Sequence, residues 1–434
     1  MRAMKDSGIA WIGEIPEDWK IVRNKNAFVC NKELVGKKSA LTQLLSLTTR
    51  GIKKKDINNA EGKLPESFDT YQFVKENDIV MCLFDLDCSA VFSGISPIDG
   101  MISPAYRVLS CKECMEPRYA DYWFRYISDG RKFNHFAKNI RYTLSYEEFS
   151  ALPLLLPKKV EQHRIADYLD RKCSQIDAII ARQQEVIEKL KAYKLSVITE
   201  AVTKGLNPHA PMKDSGDDFI GVMPKHWNVT KLGMLFDFCG GYAYSSDSYT
   251  SESDNQVVRI GNVKNGYMAL ENAPVYISDK SAVATDKFRI NPGSILFTMT
   301  GTKGKRDYFF THLVTKEDCK GKKLFLNQRV GCFLPRKNID AGYYNYLLKE
   351  KRILDSIFVY ETGTANQGNL GIESIRRTKV QLPSKEEQIK IRKYLDDRCS
   401  RIECLLTRKS KIIYRLIDYK KSLIYEVVTG KKEV

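Results

Sequence analysis

Two stretches decide the fold: Leu156–Asp177 (LPKKVEQHRIADYLDRKCSQID) and Leu382–Glu403 (LPSKEEQIKIRKYLDDRCSRIE), the same text at an offset of 226 residues. The match runs on through Tyr193-Lys194/Tyr419-Lys420 to Val202-Thr203/Val428-Thr429, with 22 identities over 50 aligned positions. A second, shorter repeat lies upstream of each. Met4-Lys5-Asp6-Ser7-Gly8 returns as Met212-Lys213-Asp214-Ser215-Gly216, and Ile12-Gly13, Pro16 and Trp19 return as Ile220-Gly221, Pro224 and Trp227, all at an offset of 208. The second half therefore carries about 18 extra residues between its two repeated pieces. Residues 24–150 and 232–376 show no alignment by eye, so two near-identical frames hold two different inserts. The short element follows the first long repeat directly and would follow the second if the ends were joined. That circular order implies a pseudo-twofold axis and neighbouring termini.

The long repeat reads as helix. Apolar side chains step by three and four through Ile165, Leu169, Cys173, Ile176, Ile180, Ile187, Leu190, Val197 and Ala201, with a gap at Gln183. The copy gives Ile391, Leu395, Cys399, Ile402, Leu406, Ile413, Leu416, Leu423 and Val427, with Lys409 in the gap. Neither run holds an internal proline or glycine. Each begins after a proline (Pro157, Pro383) and is followed by a glycine (Gly205, Gly430). Ser384 with Glu387 forms a capping-box pattern that Lys158 cannot reproduce in the first copy. About 44 residues at ~1.5 Å give a rod of roughly 65 Å. Such a stripe must be buried, and with circular order the economical mate is the other copy, packed antiparallel as a coiled coil.

The 434 residues exceed one ordinary core, and 43% hydrophobic with 11% aromatic residues rule out global disorder. Lysine and arginine number 70 against 53 acidic residues, a formal +17, which favours polyanionic partners, nucleic acid first. The helices account for little of it: Glu161–Lys204 nets +1 and Glu387–Gly430 nets +5. Eleven scattered cysteines make no disulfide framework, so a reducing cytosol is expected. No segment approaches 18 consecutive apolar residues, and the N-terminus has no signal-peptide core, so a soluble intracellular protein is expected.

The inserts read as mixed α/β with short strands, such as Ile79–Phe84 and Ser294–Met299. Their loops mix basic, amide and hydroxyl side chains. In the first insert the candidates are Arg50, Lys53, Lys54, Arg141 and Thr143. In the second they are Arg259, Asn262, Lys303, Arg306, Gln328, Arg329, Thr364, Asn366 and Gln367. Arginine can bridge guanine O6/N7, asparagine and glutamine can bridge adenine N6/N7, and lysine and threonine suit phosphate oxygens. Solvated loops are usually polar in any case, so these are candidates only. Chemistry of other kinds finds no pattern. There is no GxxxxGK[ST], no GxGxxG and no Asn/Asp-Pro-Pro-Tyr/Phe, the five histidines form no metal motif, and Cys111-Lys112-Glu113-Cys114 is a lone CxxC. No catalytic residue, bound metal or bound cofactor is expected on this chain.

Helices opened by Pro157, Glu161-Gln162, Ile165 and Tyr168-Leu169-Asp170, and again by Pro383, Glu387-Gln388, Ile391 and Tyr394-Leu395-Asp396, separate two unlike inserts. This arrangement resembles the DNA-specificity subunit of type I restriction-modification systems. The run Gly363-Thr364…Leu370…Leu382-Pro383…Glu387-Gln388 is similar to that family's exit from a target-recognition domain; the first half has Arg141-Tyr142-Thr143-Leu144 instead. The resemblance implies an α+β chain with target-recognition domains at 1–155 and 206–381 and spacer helices at 156–205 and 382–434. Each domain would read one half of a split, asymmetric DNA site through the major groove, and the helices would fix the gap. It further implies docking of two adenine methyltransferase subunits and two ATP-driven restriction subunits, with S-adenosylmethionine, ATP and Mg on those partners. A stand-alone DNA enzyme and a coiled-coil scaffold without a DNA role are the rival readings.

Overall fold

A computed structural model describes all residues except 1, 49–50, 57–64, 87–91, 130–131, 133–141 and 365. The chain forms two compact units, residues 1–185 with 409–434, and residues 186–408. The unit boundary therefore falls inside both long helices. These run over Lys159–Lys204 and Lys385–Val428, 46 and 44 residues without a break. No helix among the described residues is long and apolar enough to cross a membrane.

The first unit opens with the hairpin Met4–Asp6/Glu14–Pro16. Strand Lys20–Arg23 then pairs antiparallel with Pro153–Leu156, which brings the exit of the insert beside its entry. Between them lies a four-stranded antiparallel sheet in the order Phe28–Asn31, Arg107–Cys111, Ile79–Met81, Ser93–Ile95. Helix Pro117–Asp129 buries Tyr119, Trp123 and Phe124 completely against this core. A smaller hairpin, Leu45–Thr48/Gly51–Lys54, leans on Gly94, where an added Cβ would meet Leu47 at 3.1 Å.

The second unit repeats the plan. Hairpin Met212–Asp214/Val222–Pro224 precedes strand Asn228–Lys231, which pairs with Lys379–Leu382. The sheet runs Phe236–Gly240, Val330–Pro335, Ile295–Thr298, Thr311–Leu313, the same order and sense as in the first unit. Helices Ala341–Leu347 and Lys351–Phe358 stand where Pro117–Asp129 stands in the first unit. The inserts therefore share a scaffold that direct comparison of their sequences does not reveal. A sheet needs only apolar side chains of about the right size, and these exchange freely. Beside this sheet the second unit pairs Asn255–Val258 parallel with Lys323–Leu326, where the first unit has a parallel bridge from Leu44 to Met101 and the strand pair Gln72–Val74/Gly100–Ile102.

Each unit takes one end from each long helix. In the first, Ile165, Leu169, Cys173 and Ile176 share a core with Leu423, Ile424, Val427 and Val428. In the second, Ile391, Leu395 and Cys399 share a core with Val197, Ile198, Ala201 and Val202. The helices therefore pair antiparallel. One ion pair marks the register in each unit: Lys420 bonds Asp177 at 2.7 Å, and Lys194 bonds Glu403. The offset of 226 converts one pair into the other. Toward the middle of each helix the stripe is only half-buried, at Ile180, Ile187, Leu190, Leu406, Ile413 and Leu416. Two helices alone cover only one side of each such residue, whereas at the ends the globular core closes the other side.

Candidate nucleic-acid interface

The repeated polar residues lock each insert onto its helices. Trp19 donates its indole N–H to Glu161 at 3.1 Å, and Trp227 donates to Glu387 at 2.8 Å. The helix-end glycines close these corners in left-handed geometry, Gly430 at φ 72° and Gly205 at φ 75°. A Cβ on Gly430 would lie 2.4 Å from the Pro16 ring and 3.1 Å from Trp19; one on Gly205 would lie 3.3 Å from Trp227. Ser384 does cap its helix by accepting from the Glu387 N–H, but the Glu387 carboxylate turns to Trp227, so the capping box is replaced by the lock.

The Glu-Gln and Tyr-Leu-Asp elements are explained the same way. Gln162 accepts from the Glu116 N–H and donates to the carbonyls of Cys114 and Pro157. Gln388 accepts from the Asp340 N–H and donates to Pro383. Asp170 accepts from the Tyr122 hydroxyl at 2.8 Å, as Asp396 does from Tyr346 at 3.0 Å. In both cases burial and the adjoining carboxylate hold the phenol protonated well above its usual range. Tyr343 reaches the last turn of the first helix, donating to the Val202 carbonyl at 3.0 Å.

On this frame the second unit gathers four of the candidate loops. The Asn327 N–H donates to the Val258 carbonyl (3.2 Å), beside Arg259. The Met299 N–H donates to the Arg329 carbonyl (3.1 Å), and the Leu370 N–H to the Met299 carbonyl (3.0 Å). Thr300–Gly301, Gln367–Asn369 and Thr362–Thr364 form a three-stranded sheet, and the Lys303 ammonium donates to the Gly363 carbonyl at 2.9 Å. Lys303, Gln328, Arg329, Thr364, Asn366 and Gln367 are exposed around this patch. Gly363 is at φ 118°, and a Cβ there would lie 2.0 Å from the Gln367 carbonyl oxygen, so only glycine closes the hairpin.

Three candidates stand apart. Asn262 is 2% exposed, and its side chain bonds the Arg259 N–H and the carbonyls of Ala269 and Asn272. Those bonds occupy its amide in shaping the loop. Arg259 is half-buried and donates to the Ala273 carbonyl at 2.5 Å. Arg306 turns to the neighbouring helix, pairing with Asp355 and lying 5.6 Å over the Phe358 ring. One exposed aromatic escaped the sequence reading. Tyr242 bridges to Asn327 at the edge of the same loops, and Gly241 before it has no room for a Cβ, which would lie 1.9 Å from the Asn327 carbonyl oxygen. The Gly240-Gly241-Tyr242 run was the available signal.

In the first unit Lys53 and Lys54 are exposed on the hairpin strand Gly51–Lys54, opposite Ser46 and Leu45. Thr143 is half-buried beside Leu144, whose N–H donates to the Leu83 carbonyl at 2.8 Å. Leu370 makes the same bond to Met299, so Tyr142-Thr143 precedes its leucine as the glycine hairpin precedes Leu370. Arg50 and Arg141 lie outside the described residues. Among the described residues no three metal-type side chains converge; burial pushes the Cys111 thiol up to about 12, and Cys114 is exposed.

The architecture is that of a duplicated frame, two loop-bearing units each built on the ends of two long helices. Comparison with known proteins finds consistent similarities. Residues 224–412 match the type I restriction modification DNA specificity domain. A putative type I restriction enzyme MjaX specificity subunit from Methanocaldococcus jannaschii is 24% identical over 98% of this chain and 96% of its own. The HsdS subunit from Thermoanaerobacter tengcongensis shares the fold at a TM-score of 0.52 and 13% identity, over 98% of this chain and 100% of that one. A chain from a structural study of complex assembly and conformational transition of the type I R-M system reaches 0.71 at 14% identity, over 96% and 99%. Part of this chain thus matches the type I specificity-domain model, and nearly its whole length aligns with type I restriction enzyme specificity subunits.

Proposed function

We propose that this chain is the sequence-reading subunit of a type I restriction-modification complex in the cytoplasm, with recognition domains at 1–155 and 206–381 and spacer helices at 156–205 and 382–434. Each domain reads one half of an asymmetric bipartite DNA site, and the helices set the gap between the halves. One observation carries this reading: the same frame occurs twice, with unlike polar loops mounted on it. In the second domain Arg329, Gln328, Gln367 and Asn366 serve base edges, while Lys303 and Thr364 serve phosphates. In the first, Lys53, Lys54 and Thr143 take part. The chain itself is non-catalytic. It docks two adenine methyltransferase subunits, which bring S-adenosylmethionine, and two restriction subunits, which bring ATP and Mg.

The test is a single-molecule methylation map of the source cells with and without the gene. Deletion should erase N6-methyladenine from one motif made of two unlike halves and a fixed gap. An unchanged map, in cells whose partner methyltransferase is expressed, would refute the assignment.

A further inference from the structure

The two units differ in how they balance one cation. In the first unit Arg125 is bonded by Asp121 at 2.8 Å, a carboxylate whose side chain is 5% exposed. An offset of 224 relates Tyr119 to Tyr343 and Tyr122 to Tyr346; it also relates Asp121 to Asn345 and Arg125 to Lys349. The second unit thus keeps the cation and loses its counter-charge. Asn345 is 9% exposed and its Oδ1 has no hydrogen-bond partner. Lys349 is half-buried, with no carboxylate bonded to its ammonium among the described residues. Burial, with Lys194 nearby, pulls its ammonium down to about 8. A buried charge without a partner is costly, and the first unit shows the internal remedy that the second unit lacks.

Lys349 lines a cavity of about 260 Å³ with Arg306, Lys351, Tyr308, Phe309 and Phe358. Arg306 and Lys351 share the single carboxylate of Asp355. Three cations stand against Asp355 and, bonded to the Tyr308 hydroxyl at 2.7 Å, Glu361, so positive charge still exceeds negative beside an aromatic wall. A phosphate monoester, which carries about −1.5 to −2 at neutral pH, suits that excess in sign. The volume lies just under the usual range of roughly 300–1,000 Å³ for ligand pockets, so the body attached to the phosphate must be small and flat.

We propose that this cavity of the second unit binds a phosphate monoester on a single aryl or nucleobase-sized body, with Lys349 as the anchoring cation. The test is calorimetric titration of the full-length chain with phenyl phosphate, with inorganic phosphate as the reference. Phenyl phosphate should bind at least tenfold more tightly than inorganic phosphate. Lys349→Met should weaken it at least tenfold. Asn345→Asp, which rebuilds the internal counter-ion of the first unit, should do the same without lowering the melting temperature. Absence of binding at millimolar phenyl phosphate, equal binding of inorganic phosphate, or variants that bind like the parent would each overturn the proposal. AMP and a 5′-phosphorylated oligonucleotide distinguish a free nucleotide from a DNA end; binding of either supports the site. Affinity for internal DNA sequence, measured on the same samples, is expected to be unchanged by both variants.

Discussion

Lengthening the helices is the sharpest test of how the frame serves recognition. Seven residues would be inserted into both helices, between Asp177 and Lys194 on the first and between Glu403 and Lys420 on the second. Insertion there leaves the Asp177–Lys420 and Lys194–Glu403 pairs intact, each within its own unit. A heptad also returns the apolar stripe to the same face. Each helix grows by about 10 Å at ~1.5 Å per residue. At ~34 Å per ten base pairs that equals about 3 base pairs of DNA. The methylated motif, mapped in cells carrying the lengthened gene, should keep both halves and widen its gap by that amount. The same insertion in one helix alone keeps one unit in register and slides the other by about 10 Å. It would unseat residues such as Ile391 and Leu395, both fully buried, at roughly 1.5–3 kcal/mol each. That variant should fail to accumulate as folded protein. An unchanged gap in the double insertion would refute the ruler, and normal folding of the single insertion would refute the pairing behind it.

Other outcomes follow from single residues. Gly430→Ala should destabilise by about 2–4 kcal/mol, because left-handed strain adds to a collision with Pro16, whereas Gly205→Ala should cost about 1–2 kcal/mol; urea unfolding of the two would show it. Lys303→Ala should weaken DNA binding for all sequences and reduce the slope of log affinity against log salt by about 0.9, read by fluorescence anisotropy of the assembled complex. Gln367→Ala should instead relax selectivity at one base pair of one half-site, by about 1–3 kcal/mol, seen in a binding series over substituted sites. Lys349 has a folded pKa of about 8 against 10.5 unfolded, so the unfolded chain binds more protons between these values. Stability should therefore rise with pH from about 8 to 10.5, by about 3 kcal/mol. Lys349→Met should flatten that rise in thermal melts.

The frame was legible because its residues are repeated, and they are repeated because each has one partner that geometry dictates. Trp19 and Trp227, Gln162 and Gln388, Asp170 and Asp396 each make a directional bond that no other side chain replaces. Helix length and pairing came from spacing alone, through the apolar steps and the flanking proline and glycine. The common sheet of the inserts was hidden, since Met81 and Phe297 or Val80 and Leu296 need only be apolar. The loops were legible only as polarity. Asn262 looked like a base reader because its type suits adenine, yet its amide is spent on Ala269 and Asn272, bonds invisible without the fold. Tyr242 was passed over because a tyrosine following the Gly240-Gly241 pair carries no pattern until Asn327 is placed beside it.

The corner at Gly430 gives the chain a freedom that its linear numbering conceals. In the second unit the helix ending at Lys204 runs straight on through Gly205 to the hairpin at Met212. In the first unit the same neighbours meet without a shared backbone, Gly430 resting on Pro16 and the Lys431 ammonium bonding the Glu14 carbonyl. A covalent linkage in one place is thus a packing contact in the other, and the fold treats the two as interchangeable. A chain re-spliced so that residue 434 leads into residue 1, and opened between Gly205 and Met212, would carry every lock unaltered. Evolution could cut and rejoin such a gene at either corner, or exchange one loop-bearing insert for another, without redesigning the frame that holds it.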